Sequence, residues 1–228
     1  MGVPMRMLRS LLFGALFSAG LVTLLSGCGG SPKQPAPGNI PKEMTADGRV
    51  VAKEQVAEAV YGWHFTDPRQ LVASSELVVL GRVERVERGP ASPQGDAVET
   101  IRYLHVKVEQ RLYGRLSGDQ VVLQDQGWLK IDGQPEKPFR LEGMIRLEAG
   151  DRAFLFLHKD PDTGFYEQLD DQAAYRIQGG EIIDSQRTDP MVRRIELMRD
   201  RDLVQLVTDT AAAIRRGEIK PARPRSSG

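Results

Sequence analysis

Apolar and polar positions alternate in short runs through the middle of this chain, and the runs change phase several times. Residues 77–87 read Leu-Val-Val-Leu-Gly-Arg-Val-Glu-Arg-Val-Glu, a strand rich in β-branched side chains. Its apolar phase shifts between Val83 and Val86, and Gly81 sits inside it, which predicts a bend or bulge. Residues 101–112 have period two. Leu104, Val106, Val108 and Leu112 fall on one face; Tyr103, His105, Lys107 and Glu109 fall on the other. Val121-Val122-Leu123 opens a third strand. Ala153-Phe154-Leu155-Phe156-Leu157 is apolar on both faces, as a central strand is. Residues 165–169 and 173–178 read as further short strands, and Gly179-Gly180 between Ile177 and Ile182 is a two-residue hairpin signal. The stretches 89–95 and 127–143 are rich in turn residues and read as loops.

Two segments have helical signals instead. Thr66 or Asp67 can cap, Pro68 suits the first helical position, and a short helix follows. Asp189-Pro190 starts a longer helix that runs to about Arg216 and stops at Gly217. Its apolar stripe is uneven. Met191, Ile195 and Met198 form one face, Leu203, Leu206, Val207, Thr210 and Ile214 another, and the run Arg199-Asp200-Arg201-Asp202 between them predicts a kink. The fold class that follows is mainly β (α+β): a small closed barrel of five to six strands, a short N-terminal helix and a longer C-terminal one. The phrases Ser-Glu-Leu-Val-Val-Leu-Gly-Arg-Val, Gly-Asp-Gln-Val-Val-Leu and Leu-Glu-Ala-Gly-Asp-Arg-Ala-Phe-Leu-Phe-Leu resemble uncharacterised exported bacterial domains. That resemblance implies an OB-like barrel similar in outline to the netrin and tissue-inhibitor modules. Those inhibitor modules rely on a free N-terminal cysteine and several disulfides, which this chain lacks.

The start of the chain has a different pattern. Arg6 and Arg9 precede an uncharged apolar stretch from Leu11 to Leu25. At about 15 residues it is shorter than the roughly 20 a membrane-spanning helix needs, and it has the form of an export signal. It closes on Leu25-Ser26-Gly27-Cys28, which contains the single cysteine of the chain. This ending resembles the lipobox of bacterial lipoprotein signal peptides. The resemblance implies cleavage between Gly27 and Cys28, and lipid on Cys28 that attaches the chain to the cell membrane, or to an outer membrane where the host has one. The expected organisation is a signal peptide over 1–27, a lipidated cysteine and Gly/Pro-rich tether over 28–44, and the barrel over 45–188. The C-terminal helix then covers 189–217 and a frayed tail 218–228.

Charge and chemistry narrow the function only a little. Acidic and basic residues balance at 31 each, and loss of Arg6 and Arg9 with the signal leaves a small acidic excess. No block of Lys or Arg stands out, which argues against a nucleic-acid partner. His64, His105 and His158 lie far apart without ligand spacing, so neither a metal nor a cofactor is expected. Asp160-x-Asp162-x-Gly164 departs from a calcium loop at the sixth and twelfth positions, Phe165 and Asp171, and reads as a solvated turn. Tyr61, Trp63 and Phe65 alternate before the first helix, and Trp63 and Phe65 are expected to plug one end of the barrel. Trp128 falls in the long loop, and Tyr103 and His105 on a polar strand face. These three are the candidate binding residues, and no catalytic residue is assigned. The leading expectation is a membrane-anchored, non-catalytic module of the cell envelope that binds a protein or a glycan. An envelope hydrolase using His105, Tyr103 or the Asp160–Asp171 acids, and a purely structural envelope or spore component, stay open as alternatives.

Overall fold

The structure, a computed structural model, describes residues 42–44, 50–52, 54–58, 63–183 and 187–221. The signal peptide, Gly27, Cys28, most of the tether, Tyr61 and the last seven residues lie outside the described residues. Among the described residues the chain is mainly β with three helices. In chain order these are β1 (Lys42–Met44), β2 (Val50–Ala52), β3 (Gln55–Ala57), α1 (Pro68–Ser74), β4 (Leu77–Gln94), β5 (Ala97–Gly114), β6 (Gln120–Ile131) and β7 (Lys137–Leu141). There follow β8 (Arg152–Lys159), β9 (Tyr166–Gln168), β10 (Ala174–Gln178), β11 (Glu181–Ile182), α2 (Pro190–Glu196) and α3 (Asp200–Arg215). β1 pairs with β2, so the expected tether ends in a strand rather than in linker at residues 42–44.

The other nine strands form one mixed sheet in the order β11-β10-β8-β4-β5-β6-β7-β3. β9 lies off that path and pairs with both β8, antiparallel, and β6, parallel. The bulges anticipated around Gly81 are present. The β4–β5 register shifts at four places, between Val78 and Val79, Leu80 and Gly81, Val83 and Arg85, and Arg88 and Ala91.

β8 and the first half of β4 are buried on both faces, as their continuous apolar runs predict. Val78, Leu80, Phe154, Phe156 and Tyr175 pack against α1, α2 and α3. Leu77, Val79, Leu155 and Leu157 point the opposite way and pack with Leu104, Val106, Val121 and Leu123. Trp63 and Phe65, stacked at 5.8 Å, join the helix-side core. Gln172 holds the Phe65 backbone there through both its amide atoms, at 2.7 and 3.1 Å.

Other expectations are corrected by pairing that local turn signals hid. Residues 89–94 are strand, and the β4–β5 hairpin turns only at Gly95 and Asp96. The stretch 127–143 is the end of β6, a short turn and β7, so Trp128 and Phe139 sit on strands. Leu112 packs in the helix-side core while Val108 packs in the other, because the bulges between Val78 and Gly81 break the period of two. The single C-terminal helix is two helices. Asp189 caps α2 by accepting from the amides of Met191 and Val192 at 2.8 and 3.0 Å. The chain then leaves helical geometry at Arg199, which bridges to Glu181 of β11. That break accounts for the two offset apolar stripes. α3 ends with the amides of Gly217 and Glu218 donating to Ile214 and Ala213, the double bond expected of a glycine stop.

Candidate functional site

The candidate residues Tyr103, His105 and Trp128 do not come together. Pairing fixes which face each side chain takes, since directly opposed residues share a face. Tyr103 lies opposite Glu87 and Gln124, and His105 opposite Arg85 and Val122. Arg102 lies opposite Arg88 and Asp125, Leu104 opposite Val86 and Leu123. β6 carries one extra residue at Gly127, so Gln126 pairs with Ile101 while Trp128 pairs with Thr100. A Cβ at Gly127 would sit 2.4 Å from the Thr100 carbonyl oxygen, which is why glycine occupies this bulge. The bulge reverses the phase of β6 and turns Trp128 to the face of Arg102, opposite to Tyr103 and His105.

On the Arg102 face the chain builds an ionic network. Arg102 is fully buried. Its Nε and Nη2 donate to one oxygen of Asp125 at 3.1 and 2.6 Å, and its Nη1 donates to the Leu147 carbonyl at 2.8 Å and to Glu148 at 3.2 Å. Arg146 donates to Glu148 at 2.9 Å and to the carbonyls of Gly127 and Phe139 at 2.9 and 3.1 Å. Burial, then the neighbouring Arg102 charge, pulls Arg146 below the ordinary guanidinium value. The guanidinium groups of Arg88 and Arg146 lie 5.0 and 5.6 Å from the Trp128 ring centre, within cation–π range. Arg88 in turn grips Glu136 through two bonds, at 2.9 and 2.5 Å. Trp128 is therefore engaged by the protein itself. Its inner part, Arg102 with Asp125, is buried and holds β5 to β6, while Arg88 and Glu136 at its edge stay partly exposed.

The Tyr103 face is more open. Phe165, at the end of the β8–β9 connection, meets the Tyr103 ring at 4.7 Å. Gly89 lies beneath the pair; a Cβ there would meet Ile101 and Tyr103 at 2.7 and 2.9 Å. Arg85 approaches His105 Nδ1 at 3.1 Å, and His105 Nε2 lies 3.1 Å from Glu87. An arginine only donates, so Nδ1 accepts and the ring proton sits on Nε2. The Arg85 bond, then the His105 bond, holds the Glu87 carboxyl below its usual value. On the same face Gln124 donates to Glu167 at 3.1 Å, and burial raises the Glu167 carboxyl. Aromatic faces beside amide, carboxylate and guanidinium groups form a surface able to stack on a ring and hydrogen-bond its substituents.

The acids between Asp160 and Asp171 are spread apart. Asp160 accepts from the Asp162 amide at 2.8 Å and the Thr163 hydroxyl at 2.7 Å, fastening an exposed turn. Asp170 is buried; one oxygen accepts from the Gln172 amide at 2.9 Å, and the other has no partner among the described residues. Burial, then the Asp171 charge, pushes the Asp170 carboxyl up to about 7. Arg102, Asp125 and Arg146 are not among the residues singled out from sequence. The signal for the first two was present: Arg102 continues the Leu104–Val106 phase and Asp125 the Val121–Leu123 phase, so each places a charge on an apolar face.

No protein-family model matches this chain, and a search of curated proteins finds no match. Among the described residues no helix is long and apolar enough to cross a membrane.

Proposed function

We propose that this chain is a lipoprotein of the bacterial cell envelope, anchored through lipid on Cys28. Its domain is an OB-like closed barrel that binds an envelope glycan and carries out no reaction on it. The pairings support the barrel. β8, β4, β5, β6 and β9 are successive neighbours, and β9 returns to β8, with Leu123 opposite Tyr166 as the link between β6 and β9. Five strands in such a circuit, with a core of Leu and Val on their shared face, suit a small Greek-key barrel. In such barrels the second and third strands and the connections flanking the barrel mouth receive oligosaccharides and oligonucleotides. The corresponding strands here are β5 and β6, and the fourth-to-fifth connection brings in Phe165.

The contact of Phe165 with Tyr103, beside His105 and Gln124, is the observation that carries the reading. The balanced charge of the chain favours a glycan over a nucleic acid. Calorimetry of the full-length protein with envelope oligosaccharides tests it. Tyr103→Ala and Phe165→Ala should each weaken binding roughly tenfold or more, as loss of an aromatic anchor does. Trp128→Phe should leave binding unchanged. Undiminished affinity in both aromatic variants would refute the assignment of this face, and so would release of new reducing ends from the glycan.

A further inference from the structure

Gln172 fastens one stretch of the chain to another 107 positions away. Its Oε1 accepts from the Phe65 amide at 2.7 Å, and its Nε2 donates to the Phe65 carbonyl at 3.1 Å. Residues 63–66 belong to no strand or helix. They form a strap between β3 and α1, and the Gln172 side chain satisfies the Phe65 backbone groups as a strand ladder would. Phe65 is fully buried, and Trp63 stacks on it.

Gln172 is in turn placed by Asp170. The Gln172 amide donates to Asp170 Oδ1 at 2.9 Å, and the Ala173 amide donates to the Asp170 carbonyl at 3.2 Å, which closes a tight turn. Asp170 is buried, and its Oδ2 has no partner among the described residues. Several charges face this turn. Asp171 is its neighbour; Arg187 and Asp189 come from the segment before α2, the Tyr175 hydroxyl from β10 and Glu196 from α2. Arg187 stands 4.9 Å from the centre of the Tyr175 ring, donates to the carbonyls of Asp171 and Ala174, and lies 3.6 Å from Glu196. On the strap itself, His64 Nδ1 lies 3.8 Å from Asp189. A neutral carboxyl suits the Asp170 position. A carboxylate there is buried beside other acids with one oxygen lacking a donor, which is costly. Burial, then Asp171, accordingly keeps the proton on Asp170 up to about pH 7.

We propose that the Asp170–Gln172 turn is a proton-held clasp: with Asp170 neutral it fastens the Trp63–Phe65 strap to the domain, and ionisation of Asp170 opens the turn and frees the strap. Opening lets water reach the new charge, and it withdraws Gln172 from Phe65. Because the closed turn holds the proton more tightly than the open one, closure is favoured below about pH 4 and weakens as pH rises to about 7. Release lengthens the connection between β3 and α1. None of these residues belongs to the Tyr103 face, so the clasp stands or falls independently of glycan binding.

The test is hydrogen exchange of the Phe65 amide in the full-length protein, followed by NMR between pH 4 and pH 8 and corrected for the intrinsic rate. Its protection factor should fall roughly tenfold per pH unit between about pH 4 and pH 7 and level off above. It should also stay below that of the Leu155 amide at the centre of the sheet, since the strap opens without the domain unfolding. D170N keeps the acceptor for the Gln172 amide and carries no charge, so its Phe65 protection should not vary with pH. Q172A should lose that protection even at pH 4, whereas H64Q should keep the parent slope. Equal protection of Phe65 and Leu155 at every pH in the parent would overturn the proposal, because release would then need global unfolding. A slope that persists in D170N, a slope lost in H64Q, or full Phe65 protection in Q172A would overturn it as well.

Discussion

Arg102 and Asp125 show why a buried charge pair is poor evidence of added stability yet costly to break. Removing one partner strands the other away from water, at about 3–5 kcal/mol, whereas replacing both with apolar side chains is often near neutral. Urea unfolding should therefore find Arg102→Ala destabilised by about that amount and the Arg102→Met/Asp125→Leu pair much less affected. Equal losses in the two would mean that the pairing itself supplies the stability. Asp170 makes the complementary case with pH. Its folded value near 7 lies above its ordinary 3.8, so the folded state holds its proton more tightly. The stability this proton supplies is present below about pH 4, is lost as pH rises to about 7, and is flat beyond, amounting to at most about 4 kcal/mol. Asp170→Asn keeps the acceptor for the Gln172 amide and removes the titration. The variant should thus gain on the parent steadily between about pH 4 and pH 7 in thermal melts, and hold a constant difference above that. Parallel curves would refute the assignment.

The elements were legible in proportion to how local their signals are. Asp67-Pro68 and Asp189-Pro190 announce α1 and α2; of the two caps open for α1, Thr66 and Asp67, the structure uses Asp67, and Asp189 caps α2. Gly179-Gly180 announces the β10–β11 hairpin, with both glycines at positive φ. Long-range pairing left no such mark. Nothing in Gly89-Pro90-Ala91-Ser92 looks like strand, yet β5 pairs with Ala91 and Ser92 across a bulge that takes up Gly89 and Pro90, because tertiary pairing outweighs turn propensity. The same holds for Trp128, whose face is set by one extra residue in β6. Alternation placed Tyr103 and His105 on a common face, and that part of the candidate site was readable. Phe165 was not, because it arrives from a distant connection. Gly127→Ala tests the bulge at the scale of the element: its Cβ has no room beside the Thr100 carbonyl. It should destabilise by about 1–3 kcal/mol and shift the Trp128 fluorescence as the Arg88 and Arg146 contacts loosen. An unperturbed spectrum and melting point would show that the strand accepts a side chain there.

At the scale of the whole molecule, the proposal is of a lipid-anchored β domain with a glycan-binding face. The helices cover one face of β8, β4 and β10, and the surface proposed for the glycan is the β5–β6 face that carries Tyr103. A module of this kind would act where it is held, and the proposed lipid on Cys28 would supply the holding. Two acyl chains, at about 0.8 kcal/mol per buried methylene, suffice for lasting attachment. Cys28→Ala should accordingly move the protein from the membrane fraction to the soluble one. The most direct test is the intact mass of the protein purified from its native membranes. The expected result is a chain that begins at Cys28 and carries a diacylglyceryl group. A free Cys28 thiol, or residues 1–27 still attached, would contradict it.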